Sequence, residues 1–304
     1  MHNSILITGS SGFVGHSLVN YFRHKNVEFT KVNLRQSHWS HEVKQSSFTT
    51  YIHLAGIAHD LNNKNGDQVY YEVNYELTKK LFDCFLEDKQ SELFIFFSSI
   101  KAASDQPKSI VTEETEPSPK TVYGKSKLLA ENYILKNLPP NKKVIILRPA
   151  MIHGPGNKGN LNLLIKLIKL NIPWCFGDFE NKRSYSSIEN VCYIIEKILS
   201  KEIQKSGVYN ISDDNSISTN ELIRLTANTL GKHPKIIKVP KFMLISISHL
   251  GDLIKLPFNS QVLNKIIGTY EVSNHKIKNE LGIKNLPIST EKGLINTIKS
   301  YEND

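Results

Sequence analysis

The chain has 304 residues, 39 % of them hydrophobic and 22 % charged, with a formal net charge of +9. That length can bury a large core, as one large domain or two modest ones. The positive charge favours anionic ligands, but the basic residues are scattered in no run of five or more and no nucleic-acid fold signature appears; a nucleotide-linked small molecule is the partner expected, not nucleic acid.

The chain opens on an apolar run, Ser4-Ile5-Leu6-Ile7-Thr8, followed by Gly9-Ser10-Ser11-Gly12-Phe13-Val14-Gly15. Val14, Leu18, Val19 and Phe22 then recur at helical spacing. Strand, glycine turn and amphipathic helix form the opening of a dinucleotide-binding unit, in which the helix N-terminus offers free N–H groups to a pyrophosphate. Gly9, Ser11, Gly12, Phe13, Val14 and Gly15 are therefore candidate cofactor contacts. A second strand is predicted at Phe29 to Val32, followed by Asn33-Leu34-Arg35. An acidic residue at that strand end would bind a ribose 2′-hydroxyl; none stands there, and the Arg35 fork suits a 2′-phosphate. NADP(H) is the favoured cofactor, with NAD(H) held through Asn33 as the alternative.

Further strands are expected at Tyr51 to Leu54, Leu93 to Phe97, Val144 to Leu147 and Gly207 to Ile211. Helices are expected through Val73 to Phe85, Val122 to Leu135, Leu161 to Leu170 and Ile188 to Leu199, with His153 to Asn157 a loop. Continuous apolar strands alternating with helices predict an α/β fold with a doubly wound parallel Rossmann sheet, covered on both faces. From Ser218 onward the pattern is helical. The expected division is a dinucleotide-binding domain over 1–170, with a returning segment at 186–212, and a smaller, mostly helical C-terminal substrate lobe over 171–304.

Cys84, Cys175 and Cys192 are odd in number and lack metal-like spacing, so free thiols in a reducing cytoplasm are expected, with no metal site. No signal peptide precedes the first strand. The apolar stretch from Phe242 to Phe258 carries His249, Asp252 and Lys255 and is poor material for a membrane span.

A Tyr-x-x-x-Lys pattern occurs at Tyr21/Lys25, Tyr75/Lys79, Tyr123/Lys127 and Tyr193/Lys197. Only Tyr123/Lys127 follows a buried strand ending in serine, Ser98-Ser99, and opens a helix after a proline-rich loop. Positions i and i+4 share a helix face, so Lys127 is expected to favour the Tyr123 phenolate and lower its pKa. Ser99, at a strand's carboxyl end, can hydrogen-bond a reacting oxygen. Ser99, Tyr123 and Lys127 form the candidate catalytic group.

These residues carry a resemblance. Thr8 to Gly15, His53-Leu54-Ala55-Gly56, Val73-Asn74 with Thr78, Phe97-Ser98-Ser99, Tyr123 to Lys127 with Glu131, Leu147-Arg148-Pro149 and Gly154-Pro155-Gly156 resemble the extended short-chain dehydrogenase/reductases of the NAD-dependent epimerase/dehydratase family. The similarity runs nearly end to end, to Leu281-Gly282 and Gly293-Leu294. It implies that Tyr123 is the acid/base, that Lys127 also holds the nicotinamide ribose, and that Leu54, Ala55, Gly56, Asn74 and Pro149 line the cofactor. It further implies that Ser99, Ile100, Lys101, Asn157 and Arg183 meet the substrate, with Arg183 on its diphosphate.

Two departures matter. The Arg35 to Tyr51 segment is short for the helix and strand the family places there, so the sheet is expected to lack a strand. Ile100-Lys101 stand where the family's sugar dehydratases carry an Asp-Glu pair, which argues against dehydration. Ser98 to Lys101, the Gly156-Asn157-Lys158 loop and Asn181 to Ser184 look closest to enzymes acting at C4 of UDP-sugars. The resemblance thus implies a UDP-4-keto-6-deoxy-sugar 4-reductase or a UDP-hexose 4-epimerase, the reductase being favoured. A dinucleotide-sensing regulator is the non-enzymatic alternative, opposed by the intact Tyr123/Lys127 pair. A homodimer through the Thr121 to Leu135 helix is a family expectation.

Overall fold

An apolar run such as Leu93-Phe94-Ile95-Phe96-Phe97 has no polar side to turn towards water, so it must be covered on both faces. The computed structural model describes residues 4–58, 66–157, 161–200 and 205–301. Its strands are β1 (Ile5–Thr8), β2 (Thr30–Val32), β3 (Thr50–His53), β4 (Leu93–Phe97), β5 (Lys143–Pro149), β6 (Met151–His153), β7 (Tyr185–Ser187) and β8 (Gly207–Ile211). Helices are α1 (Phe13–His24), α2 (Trp39–Gln45), α3 (Gly66–Tyr71), α4 (Leu77–Glu87), α5 (Val122–Lys136), α6 (Leu161–Lys169) and α7 (Ile188–Ser200). The later helices are α8 (Thr219–Thr229), α9 (Lys241–Leu253), α10 (Ser260–Ile267), α11 (His275–Leu281) and α12 (Thr290–Ser300).

Six strands pair in parallel in the order β2-β1-β3-β4-β5-β8. On one face Leu18 and Phe22 of α1 and Ile195 of α7 pack against Ile7, Ile52 and Ile95. On the other, Phe82 and Phe85 of α4 and Ile134 of α5 pack against Leu6, Tyr51 and Phe94. Register sets Thr8 level with Val32 and His53. The glycine turn, Asn33 and Leu54 therefore all leave the sheet at the same carboxyl edge, where doubly wound sheets bind ligands.

Between Arg35 and Tyr51 the chain contributes only α2 and the first residue of β3, as expected from the shortened segment. Trp39 and Val43 anchor that helix, buried in the same core as Phe82. The expected loop at His153 is corrected: Met151–His153 is a strand paired with β7. Three residues carry no readable period, and this pairing rests on a partner more than thirty positions away in sequence. A helical stretch between α3 and α4 widens into a π-helix over Glu72–Glu76, with Asn74 buried within it.

Candidate active site

Backbone demands at the glycine turn are unequal. Gly9 has φ +70°, and a Cβ there would lie 2.4 Å from the Ala55 nitrogen. A Cβ on Gly15 would meet the Gly9 carbonyl oxygen at 2.1 Å. The protein itself requires both. Gly12 differs: it caps α1 with φ −76°, open to any residue, and its Cβ would meet only ordinary contact at 3.4 Å. No side chain caps that helix terminus. A bare, uncapped N-terminus beside a glycine that packing does not need fits a pyrophosphate. Ser11 is exposed, while Phe13 and Val14 pack against the core behind the turn. Leu54, Ala55 and Gly56 follow β3 directly, and Pro149 ends β5 beside Ile211. Asn33 accepts from the Arg35 N–H at 3.1 Å, shaping a turn that leaves Arg35 exposed.

Ser99 stands two residues beyond the end of β4 and caps a 3₁₀ turn over Ile100–Ala102, accepting from the Lys101 N–H at 3.2 Å. Tyr123 stands in the first turn of α5, beside the Ser99 hydroxyl. Gly124 makes this approach possible: a Cβ there would lie 2.5 Å from the Lys101 carbonyl oxygen. Asp105 clamps the same junction, accepting from the N–H groups of Lys120 at 2.7 Å and Thr121 at 2.9 Å. Lys127, one turn further on, is buried and donates to the Phe97 carbonyl at 2.9 Å.

Burial raises the Tyr123 phenol above its ordinary value, opposed by the neighbouring Ser99 hydroxyl and assisted by Tyr70. The expected lowering by Lys127 is not what the structure shows. Burial instead pulls the Lys127 ammonium down to about 8, while Glu131 pulls it back up. In the Tyr21/Lys25 and Tyr193/Lys197 pairs each ammonium lies over its tyrosine ring, at 5.7 and 5.3 Å. Lys127 alone of these three turns to a strand end.

A buried polar layer supports the group. Asn74 accepts from the Ile57 N–H at 2.9 Å and donates to the Ile57 carbonyl and the Ser126 hydroxyl, each at 3.0 Å. A Cβ on Gly56 would lie 3.0 Å from both Asn74 Oδ1 and Lys127 Nζ. His53 links the Thr8 hydroxyl at 2.7 Å to that of Thr78 at 2.8 Å, and Thr78 donates to the Asn74 carbonyl at 2.8 Å. Glu131 receives Ser98 at 2.5 Å and pairs with Arg148 inside the protein.

Towards the C-terminal half, Lys101 sits 4.7 Å over the Tyr270 ring and donates to the Asp105 carbonyl at 3.1 Å. Burial lowers its pKa; Asp105 opposes this, and Arg183 and Lys265 lower it further, so three cations share one neighbourhood. Arg183 donates through Nη2 to the Lys265 and Ile266 carbonyls at the end of α10, while its buried Nε has no hydrogen-bond partner. Asn157 donates to the Ile152 carbonyl at 2.7 Å. Lys158, in the same loop, lies outside the described residues. Ile100 is buried and packs with Val111 and Ala150.

The sequence brought Ser99, Tyr123 and Lys127 forward, and the structure gathers them. It did not bring forward Tyr70, whose ring centroid is 6.4 Å from that of Tyr123, nor Asp105, Lys265 and Tyr270. Only the Gly after Tyr123 signalled the close approach to Lys101; the others meet through long-range folding.

A parallel doubly wound sheet, a glycine turn under an open helix end and a Ser-Tyr-Lys group at the same edge define a nicotinamide-dinucleotide oxidoreductase of the short-chain type. Residues 5–212 match the model of the NAD dependent epimerase/dehydratase family, and the chain belongs to that family. It is 29 % identical to a Vibrio cholerae UDP-glucose 4-epimerase over 99 % of this chain and 96 % of that protein. It is 27 % identical to an Escherichia coli O157:H7 N-acetyl-alpha-D-glucosaminyl-diphospho-ditrans,octacis-undecaprenol 4-epimerase, over 91 % of this chain and 85 % of the relative. Among solved structures it resembles MoeE5 in complex with UDP-glucuronic acid and NAD, with TM-score 0.77 at 20 % identity over 99 % of both chains.

Proposed function

We propose that the protein is a reductase that acts at C4 of a UDP-linked 4-keto-6-deoxy sugar and uses NADPH. The observation that carries this reading is the end of β2: Arg35 is exposed where a carboxylate would select NAD, and the following segment supplies α2 alone between β2 and β3. Both features suit a phosphorylated dinucleotide that exchanges each cycle.

The dinucleotide, when bound, supplies the hydride. Gly9, Gly12, Gly15 and the α1 terminus would hold its pyrophosphate, Arg35 its 2′-phosphate, Lys127 its nicotinamide ribose, with Leu54, Ala55, Gly56, Asn74 and Pro149 around it. The Tyr123 phenol, kept protonated at neutral pH by burial, gives its proton to the C4 oxygen. Ser99 orients that oxygen. Lys101 and Arg183 face the diphosphate, which an orphaned buried guanidinium Nε is chemically suited to receive. Ile100 and Asn157 shape the sugar end of the site.

One specific observation favours a second reading, 4-epimerisation of a UDP-hexose: both relatives described above are named 4-epimerases. Purified protein separates the two. The reductase comes away largely free of dinucleotide, binds NADPH more tightly than NADH and consumes it with a UDP-4-keto-6-deoxy sugar. Conversion of UDP-N-acetylglucosamine to UDP-N-acetylgalactosamine without added NADPH would overturn the reductase in favour of the epimerase.

A further inference from the structure

Helix α9 turns its apolar residues the wrong way for a helix of a monomeric lobe. Leu244, Ser248 and Gly251 are its buried residues, and they lie on one face. On the opposite face stand Phe242, Leu250 and Leu253, which are 69 %, 53 % and 79 % exposed, with Met243 at its edge and Ile254 just beyond the helix also exposed. Half of the large apolar side chains that are exposed among the described residues fall between Phe242 and Leu256. Scattered apolar residues on a surface need no explanation, but a cluster of this kind, broken on its face only by Ser246 and His249, marks an interaction site.

Charge decides what the patch meets. Lys238, Lys241 and Lys255 stand at its two ends, within three residues of the helix termini, and Asp252 is the one acid between them in the chain. A second copy of the chain docking through the same face would set these lysines against themselves, because a twofold contact pairs a patch with its own image. An apolar stripe bordered by lysines, on a helix too short and too interrupted by His249 and Asp252 to span, has the composition of one that lies in the plane of a lipid surface. We propose that α9 and its flanking lysines dock the protein onto an anionic phospholipid surface. The helix sits directly against α10, whose last carbonyls hold Arg183, so docking would bring the substrate side of the site close to the lipid.

Co-sedimentation of the full chain with large unilamellar vesicles tests this. With vesicles of phosphatidylglycerol and phosphatidylcholine the protein should pellet, and raising the salt should release it; with phosphatidylcholine alone it should stay in the supernatant. Leu250→Ser/Leu253→Ser should abolish pelleting while the thermal unfolding midpoint holds, since both side chains are already in water. Lys238→Gln/Lys255→Gln should weaken binding about fivefold for each lysine removed. Failure of the wild-type protein to pellet with anionic vesicles overturns the proposal. So does sedimentation-velocity evidence of a dimer that Leu250→Ser/Leu253→Ser converts to monomer, which would assign the face to a second copy.

Discussion

The carboxyl edge of the sheet and the C-terminal lobe treat their polar groups in opposite ways. Around Tyr123 every neighbour is already placed: Gly124 presses α5 onto the Lys101 backbone, Asp105 locks the junction, and Asn74 bonds both sides of Ile57. Around Arg183 the guanidinium is occupied by the end of α10, one buried nitrogen is unmatched, and three cations crowd together with Asp105, on Lys101, as their one counter-charge among the described residues. The first region is organised before anything binds. The second is organised for something charged that is still to arrive, and its recognition of substrate must involve some local exchange of partners. The contrast teaches where mutations should cut turnover and where they should cut affinity.

The sharpest test is Tyr123→Phe. Removing one oxygen from a placed group should lower kcat by about 10³ to 10⁴-fold, the full contribution of a general acid, with dinucleotide affinity changed less than about twofold. Tyr75→Phe, in a Tyr-x-x-x-Lys pair whose ring packs on Tyr133, should keep activity. A dead Tyr75→Phe with an active Tyr123→Phe would assign the chemistry to another part of the molecule.

Next comes the packing that places Tyr123. Gly124→Ala forces a Cβ against the Lys101 carbonyl, where neither backbone can give without moving α5. Overpacking of this sort costs about 1–3 kcal/mol, and a displacement of the acid by a fraction of an ångström to an ångström should cut kcat about a hundredfold. Circular dichroism melting and kcat measured together read both. An unchanged kcat would show that the edge is less rigid than the contrast requires.

In the lobe the expected signature reverses. Arg183→Gln should raise KM for the UDP-sugar about thirtyfold, consistent with the loss of a charge-assisted bond, while kcat falls little. If kcat fell and KM held, Arg183 would belong with the placed group and the contrast would fail.

Legibility in the sequence follows the same line. The glycine turn, the five apolar strands and the Tyr123/Lys127 pair are local patterns of three to seven residues, and each strand and helix carrying them formed within a residue or two of its expected bounds. β6 was not legible because its three residues gain strand form only by pairing with β7. Tyr270 was invisible for a related reason: its hydroxyl reaches the Ile100 and Ser104 carbonyls across more than 160 residues of chain. The direction of the Tyr123 pKa was misjudged because helical spacing reveals who shares a face but not how deeply each group is buried. Depth, not proximity to Lys127, dominates there.

The smallest effect concerns stability alone, and it belongs to the sheet edge. His53 is fully buried between Thr8 and Thr78, and burial pulls its pKa down to about 3 from an ordinary 6.5, with the Lys127 charge adding to the shift. Thr78 donates its proton to the Asn74 carbonyl, so it receives one from His53 Nε2, and Nδ1 accepts from Thr8. The neutral ring satisfies both neighbours; an imidazolium would leave the Thr8 hydroxyl facing a second N–H. Above pH 6.5 folded and unfolded chains both hold a neutral His53, and it imposes no pH dependence. Below 6.5 the unfolded chain takes up a proton that the folded chain refuses until about pH 3, so stability falls throughout that window. At pH 5 the loss from this one group should be about 2 kcal/mol. Urea unfolding at pH 7 and pH 5 should show the wild-type protein losing that much more than His53→Asn, which cannot titrate. The Asn variant should start from a lower stability at pH 7, because its shorter side chain cannot span both threonines. Equal acid losses in the two proteins would mean that His53 is protonated inside the fold, and the Thr8–His53–Thr78 chain that steadies Asn74 would have to be rebuilt around a cation.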